Sequence, residues 1–214
     1  MNVQVRRCSQ LGRTETKVPR CPCRRPLVRP QIVAAAAAQR TAEEYSQLLL
    51  SSGDDWTKTL ELITEVNVLR IDVEPRALES AVVSLASGGQ WQRAEALYRQ
   101  LQSRGHTPSS GTTTALVAGL AGSQQGQRAA SLLGELGGLG AHGGTDGGLG
   151  PAYNLVTRAL ARQGLLDEAY DILTRMMKAE MLVEASTFTC VASSCMNAER
   201  TELAEEVLEM RDYL

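Results

Sequence analysis

The sequence predicts an all-α chain, an α-solenoid of about five helix-turn-helix units of roughly 35 residues each. Three observations predict it. Matched residues recur at one spacing: Tyr153 and Phe188, Ala169 and Ala204, and Leu173 and Leu208 are each 35 apart. Apolar residues follow helical periods, with Tyr153, Val156 and Leu160 on one face, and Leu166, Ala169, Tyr170, Leu173, Met176 and Met177 on a second stripe. Gln163-Gly164 separates the two stripes, because glycine takes the left-handed turn that ends a helix. One such hairpin cannot bury both its faces, so it needs neighbours.

The first 38 residues are set apart by charge. Of 22 basic and 24 acidic residues, nine and one lie in the first 40, which leaves 13 and 23 behind and a formal charge of −10. A basic, acid-poor start with serine and threonine reads as an organelle transit peptide over residues 1–38. Its end falls near Ile32-Val33-Ala34-Ala35, and Val33-Ala34-Ala35 resembles a chloroplast processing site. A basic arm or nuclear signal is the alternative. No apolar run is long enough to span a membrane, so membrane insertion is not expected. Cys8, Cys21 and Cys23 lie in this leader without metal-ligand spacing, and Cys190 and Cys195 read as buried thiols.

The units follow in order. Residues 41–74 carry Tyr45, Leu48 and Leu49 on a first helix, a turn at Gly53-Asp54-Asp55, and Trp56, Leu60, Ile63 and Val66 on a second. Residues 75–109 repeat the plan, with Pro75 in the first turn and Trp91 placed 35 after Trp56. Residues 110–149 form a stretched third unit, whose Ala129, Leu132 and Leu136 lie 35 after Ala94, Leu97 and Leu101. Its excess length is a glycine-rich loop over 137–150, with eight glycines in fourteen positions. Gly138 to Gly143 spell a dinucleotide-binding fingerprint, but a helix precedes them where a strand is required, so a flexible loop or hinge is expected instead. Residues 150–184 form the fourth unit. Asp167 and Glu168 open its second helix and Arg175 and Lys178 close it, in keeping with the helix dipole. Residues 185–214 form a fifth unit with Glu199-Arg200 at its turn, Thr201 as a candidate cap, and Glu202, Glu205, Glu206 and Glu209 on a solvated end face.

The fourth unit resembles the pentatricopeptide repeat, of the type TYNxLIxGLCKxGxxDEAxxLFxxM. The residues that carry the resemblance are Tyr153, Asn154, Leu160, Gly164, Asp167, Glu168, Ala169, Leu173 and Met176. It implies a right-handed superhelix and an organellar protein that binds single-stranded RNA, one base per repeat, to assist RNA processing, stability or translation. In that family the residue after the aromatic and the last residue of the repeat contact the base. Carried over, these are Asn154 with Glu184, Glu79 with Ser109, Thr189 without a partner, and Thr114 with a partner in the glycine loop. Arg76, Gly111, Pro151 and Ser186 stand where stacking aliphatics are expected.

Charge argues for weak binding. A body near −10 repels phosphate overall, and stacking of about 1–3 kcal/mol per base is set against an association cost on the order of 4–15 kcal/mol. A basic groove from Arg158, Arg162 and Arg128 would offset this. The alternative is a protein adaptor, in which the solenoid surface binds a protein partner in an organellar complex. His106 and His142 both fall in linkers, so no histidine-dependent catalytic constellation forms. The expectation is therefore a non-enzyme without cofactor, metal or small-molecule substrate, placed in the chloroplast or, alternatively, the mitochondrion.

Overall fold

The computed structural model describes residues 40–136 and 148–212. The expected leader, and residues 137–147 of the expected glycine-rich loop, lie outside them. Ten helices and no strand occur among the described residues. They form five pairs: α1 (Ala42–Ser51) with α2 (Trp56–Leu69), α3 (Pro75–Ser87) with α4 (Trp91–Ser103), α5 (Ser110–Gly122) with α6 (Gly126–Glu135), α7 (Gly150–Arg162) with α8 (Leu166–Lys178), and α9 (Ala185–Asn197) with α10 (Thr201–Asp212).

Local chemistry sets the helix starts. Thr41 and Glu44 close a reciprocal capping box on α1, Asp55 caps α2 through the Lys58 N–H, and Ser109 caps α5 through the Thr112 N–H. Pro75 occupies the first turn of α3 and Pro151 that of α7, where a missing N–H costs nothing. Thr201 is the first helical residue of α10 rather than its cap. Within the pairs, the turns pass through one residue in the left-handed region: Gly89 and Gly164, but also Gln124 (φ 58°) and Glu199 (φ 61°). A side chain there costs roughly 1–2 kcal/mol, so those two turns are held by packing on either side.

Each first helix packs on the next first helix, in the row α1–α3–α5–α7–α9. Each second helix packs on its own partner, and α2, α4, α6 and α8 also reach the following first helix. Consecutive second helices approach one another much less. The closely spaced row therefore lies on the inside of the array's curve and the splayed row on the outside. Tyr45, Leu85, Leu101, Leu116, Leu160, Leu173, Met176 and Phe188 fill one continuous core between the rows. Close approach in the inner row has a visible cause at Gly119, where a Cβ would stand 2.7 Å from the Ala86 carbonyl oxygen. Cys195 is buried in this core, and burial raises its thiol pKa.

Candidate nucleic-acid interface

The side chain that follows the aromatic-position residue lies, in three of the five units, at the joint with the next unit. Asn154 Oδ1 accepts from the Glu184 N–H (3.1 Å) and the Thr187 hydroxyl (2.8 Å), and its Nδ2 donates to the Gly150 and Leu182 carbonyls (3.0 and 3.1 Å). Glu79 Oε2 accepts in the same way from the Ser109 N–H (3.3 Å) and the Thr112 hydroxyl (2.8 Å). Ser46 Oγ accepts from the Glu74 N–H (3.3 Å). In each case one bond satisfies an N–H at the start of the next first helix, which has no partner within its own helix. Burial alone would raise the Glu79 pKa, but the bonds from Ser109 and Thr112, with Arg76 nearby, outweigh it and hold the carboxyl below its ordinary value.

This corrects the expected pose of Asn154. Its residue is 2% exposed, and both amide protons and both acceptor positions of the oxygen are taken. No hydrogen-bonding edge is left for a base in this conformation. Nor is the amide polar for the sake of solvent; it ties unit four to unit five. Ser46 is a residue the sequence reading missed, although it follows Tyr45 as Asn154 follows Tyr153.

Between α5 and α7 runs an open groove of about 810 Å³, with Ala118, Ala121, Gly122 and Ala159 as its small-residue floor and Leu155, Gln124, Gln163, Arg158 and Arg162 along it. No acidic side chain lines it. Arg158 Nη1 donates to Glu184 Oε2 (3.2 Å) and to Ser186 Oγ (3.0 Å). Arg162, one turn further, is exposed and makes no ion pair among the described residues. The groove is thus an inner-row cleft with two guanidinium groups, two amides and room for a flat or anionic group.

Comparison with known proteins fits this geometry. The PPR repeat family profile matches residues 151–181, the fourth helical pair. The fold is similar to the pentatricopeptide repeat protein PPR10 from maize, with a TM-score of 0.64 at 18% identity over 84% of this chain and 25% of that one. Residues 151–181 match a pentatricopeptide repeat, and the fold is that of pentatricopeptide repeat solenoids. It is also similar to nuclear proteinaceous RNase P 2 from Arabidopsis thaliana (TM-score 0.70, 13% identity, 80% of this chain and 38% of that one). A third likeness is to the PPR domain of protein-only RNase P 1 from the same plant, solved in complex with tRNA (TM-score 0.62, 14% identity, 78% and 87%). The chain spans 25% of the maize protein's length. No curated protein matches it in sequence.

The other expected site residues are dispersed. Thr114 is half-buried and donates within its own helix to the Ser110 carbonyl; Thr189 is exposed and donates to Ala185. Ser109 caps α5, and Glu184 begins α9 with its carboxylate turned to Arg158. Arg76, Gly111, Pro151 and Ser186 are all exposed near the starts of first helices. Arg128 does not join the groove. It belongs to a second helix, where it donates to Glu95 Oε2 (2.8 Å) and lies 5.1 Å from the Trp91 ring centroid. Among the described residues no group of His, Cys, Asp or Glu is arranged to hold a metal ion, and no helix is long and apolar enough to cross a membrane.

The layers also divide the charge. The second helices hold twelve acidic and seven basic residues. The first helices hold three of each, and α5, α7 and α9 carry no acid at all. The helical part of the body's negative charge therefore lies in the second-helix row, and the inner row from α3 to α9 is locally neutral or basic although the body as a whole is acidic.

Proposed function

We propose that this repeat protein binds single-stranded RNA along its inner row, with the α5–α7 groove as the principal contact. The observation that carries the reading is that groove: two arginines on a small-residue floor, with no acid among its lining residues, between two first helices that carry no acid. Support comes from similar folds seen with RNA. Maize PPR10 has been solved with an 18-nt psaJ RNA element (TM-score 0.52, 18% identity), and the Arabidopsis domain with tRNA. Arg162 supplies a free phosphate partner, Leu155 and the alanines a surface for a base, and Gln124 and Gln163 adaptable hydrogen bonds.

The affinity of these five units by themselves is weak and strongly salt-dependent. The chain acts by binding rather than catalysis, assists RNA processing, stability or translation, and takes affinity from a protein partner. The basic segment over residues 1–38 directs it to an organelle, the chloroplast ahead of the mitochondrion, and is removed there. N-terminal sequencing of the native protein tests that part; a start at Met1 or Asn2 would contradict it.

The binding test is a fluorescence-anisotropy titration of the full chain with a short uridine-rich RNA at low and moderate salt. Arg162→Ala is expected to weaken binding of every sequence alike and to lower the salt slope by about 0.7. The basic leader is common to both proteins, so the difference isolates the groove. Equal binding by wild type and Arg162→Ala would replace this reading with the adaptor, in which the acidic outer layer meets protein.

A further inference from the structure

The two groove arginines are not equally available. Arg162 is exposed without an ion pair among the described residues, whereas Arg158, with a side chain 23% exposed, is held at 3.2 Å by Glu184 and at 3.0 Å by Ser186. Ser186 in turn donates to the same carboxylate oxygen at 3.0 Å, which closes a triangle. The Glu184 backbone is fixed independently, since its N–H is bound by Asn154. Its carboxylate is thus a tethered anion set beside one wall of the cleft.

We infer that Glu184 is an intramolecular competitor for Arg158, which holds the guanidinium away from phosphate and sets the groove's affinity for RNA. The inference rests on the proposed RNA-binding reading. The physics is an exchange of one anionic partner for another. Glu184 is 47% exposed at its side chain, so the pair is screened by water and its carboxylate can withdraw into solvent at little cost. A phosphate offers Arg158 the same charge-assisted bonds with a second oxygen available for a bidentate contact. The competitor is therefore weak enough to be displaced and close enough to reduce affinity. Glu184 acts here against RNA, the reverse of the base-reading role that its place at the end of the repeat implies.

The experiment compares wild type, Glu184→Gln, Glu184→Ala, Arg158→Ala and the double variant Glu184→Ala/Arg158→Ala, all as full chains, with the uridine-rich RNA over a salt series. Far-ultraviolet circular dichroism checks that each remains helical, and Glu184→Gln, which keeps the side-chain shape, stands in if Glu184→Ala does not. Removing the carboxylate is expected to tighten binding about two- to fivefold and to steepen the salt slope by about 0.7, one further phosphate contact. Arg158→Ala is expected to cost little in the wild-type background and to abolish the gain in the Glu184→Ala background. Affinity and slope unchanged by both Glu184 variants, with Arg162→Ala still weakening binding, would overturn the competitor alone. Absence of binding by every variant would overturn the RNA reading with it. Binding by the Glu184 variants where wild type shows none would support both.

Discussion

The inner and outer rows of this solenoid join repeat to repeat by different means. Inner helices touch directly. Gly119 lets α5 lie against the Ala86 backbone, and Ser46, Glu79 and Asn154 reach across three of the four joints to the N–H that opens the next first helix. Outer helices are splayed and bridged by polar and charged side chains: Glu95 to Arg128, Gln127 to Glu168, and Asp167 to Arg200 in the turn before α10. Backbone contact and bonds to backbone N–H groups fix geometry, while side-chain-to-side-chain bridges tolerate its change. Curvature is therefore set on the inside, and the outside is free to carry charge.

The largest expected effect is at the inner contact. Gly119→Val drives side-chain atoms into the Ala86 backbone, which cannot yield, and is expected to cost about 3 kcal/mol in urea unfolding. Gly122→Ala, three residues on with open space around it, is the control and should be neutral or slightly stabilising.

Asn154→Ala comes next. It leaves the Glu184 N–H, the Thr187 hydroxyl and two carbonyls without their partner, and is expected to cost about 2 kcal/mol. The loss should appear without RNA; a fully stable Asn154→Ala protein would deny the joint. In the outer row Glu95→Ala should cost less, about 1–2 kcal/mol. Glu95 is 4% exposed, but its partner Arg128 can reach water. An outer-row loss larger than that of Asn154 would invert the comparison.

Two smaller effects sharpen it. Gln124→Gly and Glu199→Gly, each relieving a left-handed side chain, are expected to stabilise by about 1 kcal/mol in thermal unfolding. The Glu79 carboxyl is held below the ordinary glutamate range in the folded protein, so its joint contributes stability above that range. The contribution is lost as pH falls through the depressed folded value. Urea midpoints from pH 6 to pH 3 should fall more steeply for wild type than for Glu79→Gln.

The sequence made the helices legible because their signals are local and repeated. Tyr153, Leu160, Ala169 and Leu173 repeat at fixed spacing, and that spacing alone requires stacked pairs. The site was less legible, for identifiable reasons. Asn154 matches a motif position, but what it touches depends on the N–H of Glu184 and the hydroxyl of Thr187, thirty and more residues away. Gln124 and Glu199 conceal left-handed turns because neither is glycine. The formal charge of −10 is a sum, and a sum does not say that α5, α7 and α9 are free of acid. The position of Arg128 was within reach: a residue on a second helix belongs to the outer layer, and assigning each charge to its helix would have removed it from the groove.

The central claim is that RNA lies along the inner row. Photo-crosslinking of a short 4-thiouridine-containing RNA to the full chain, followed by mass-spectrometric mapping of the attached peptides, tests it most directly. The account predicts crosslinks within α5 and α7, at Ala118 to Gln124 and Leu155 to Gln163. Crosslinks confined to the second helices, or to the basic segment before residue 40, would contradict it.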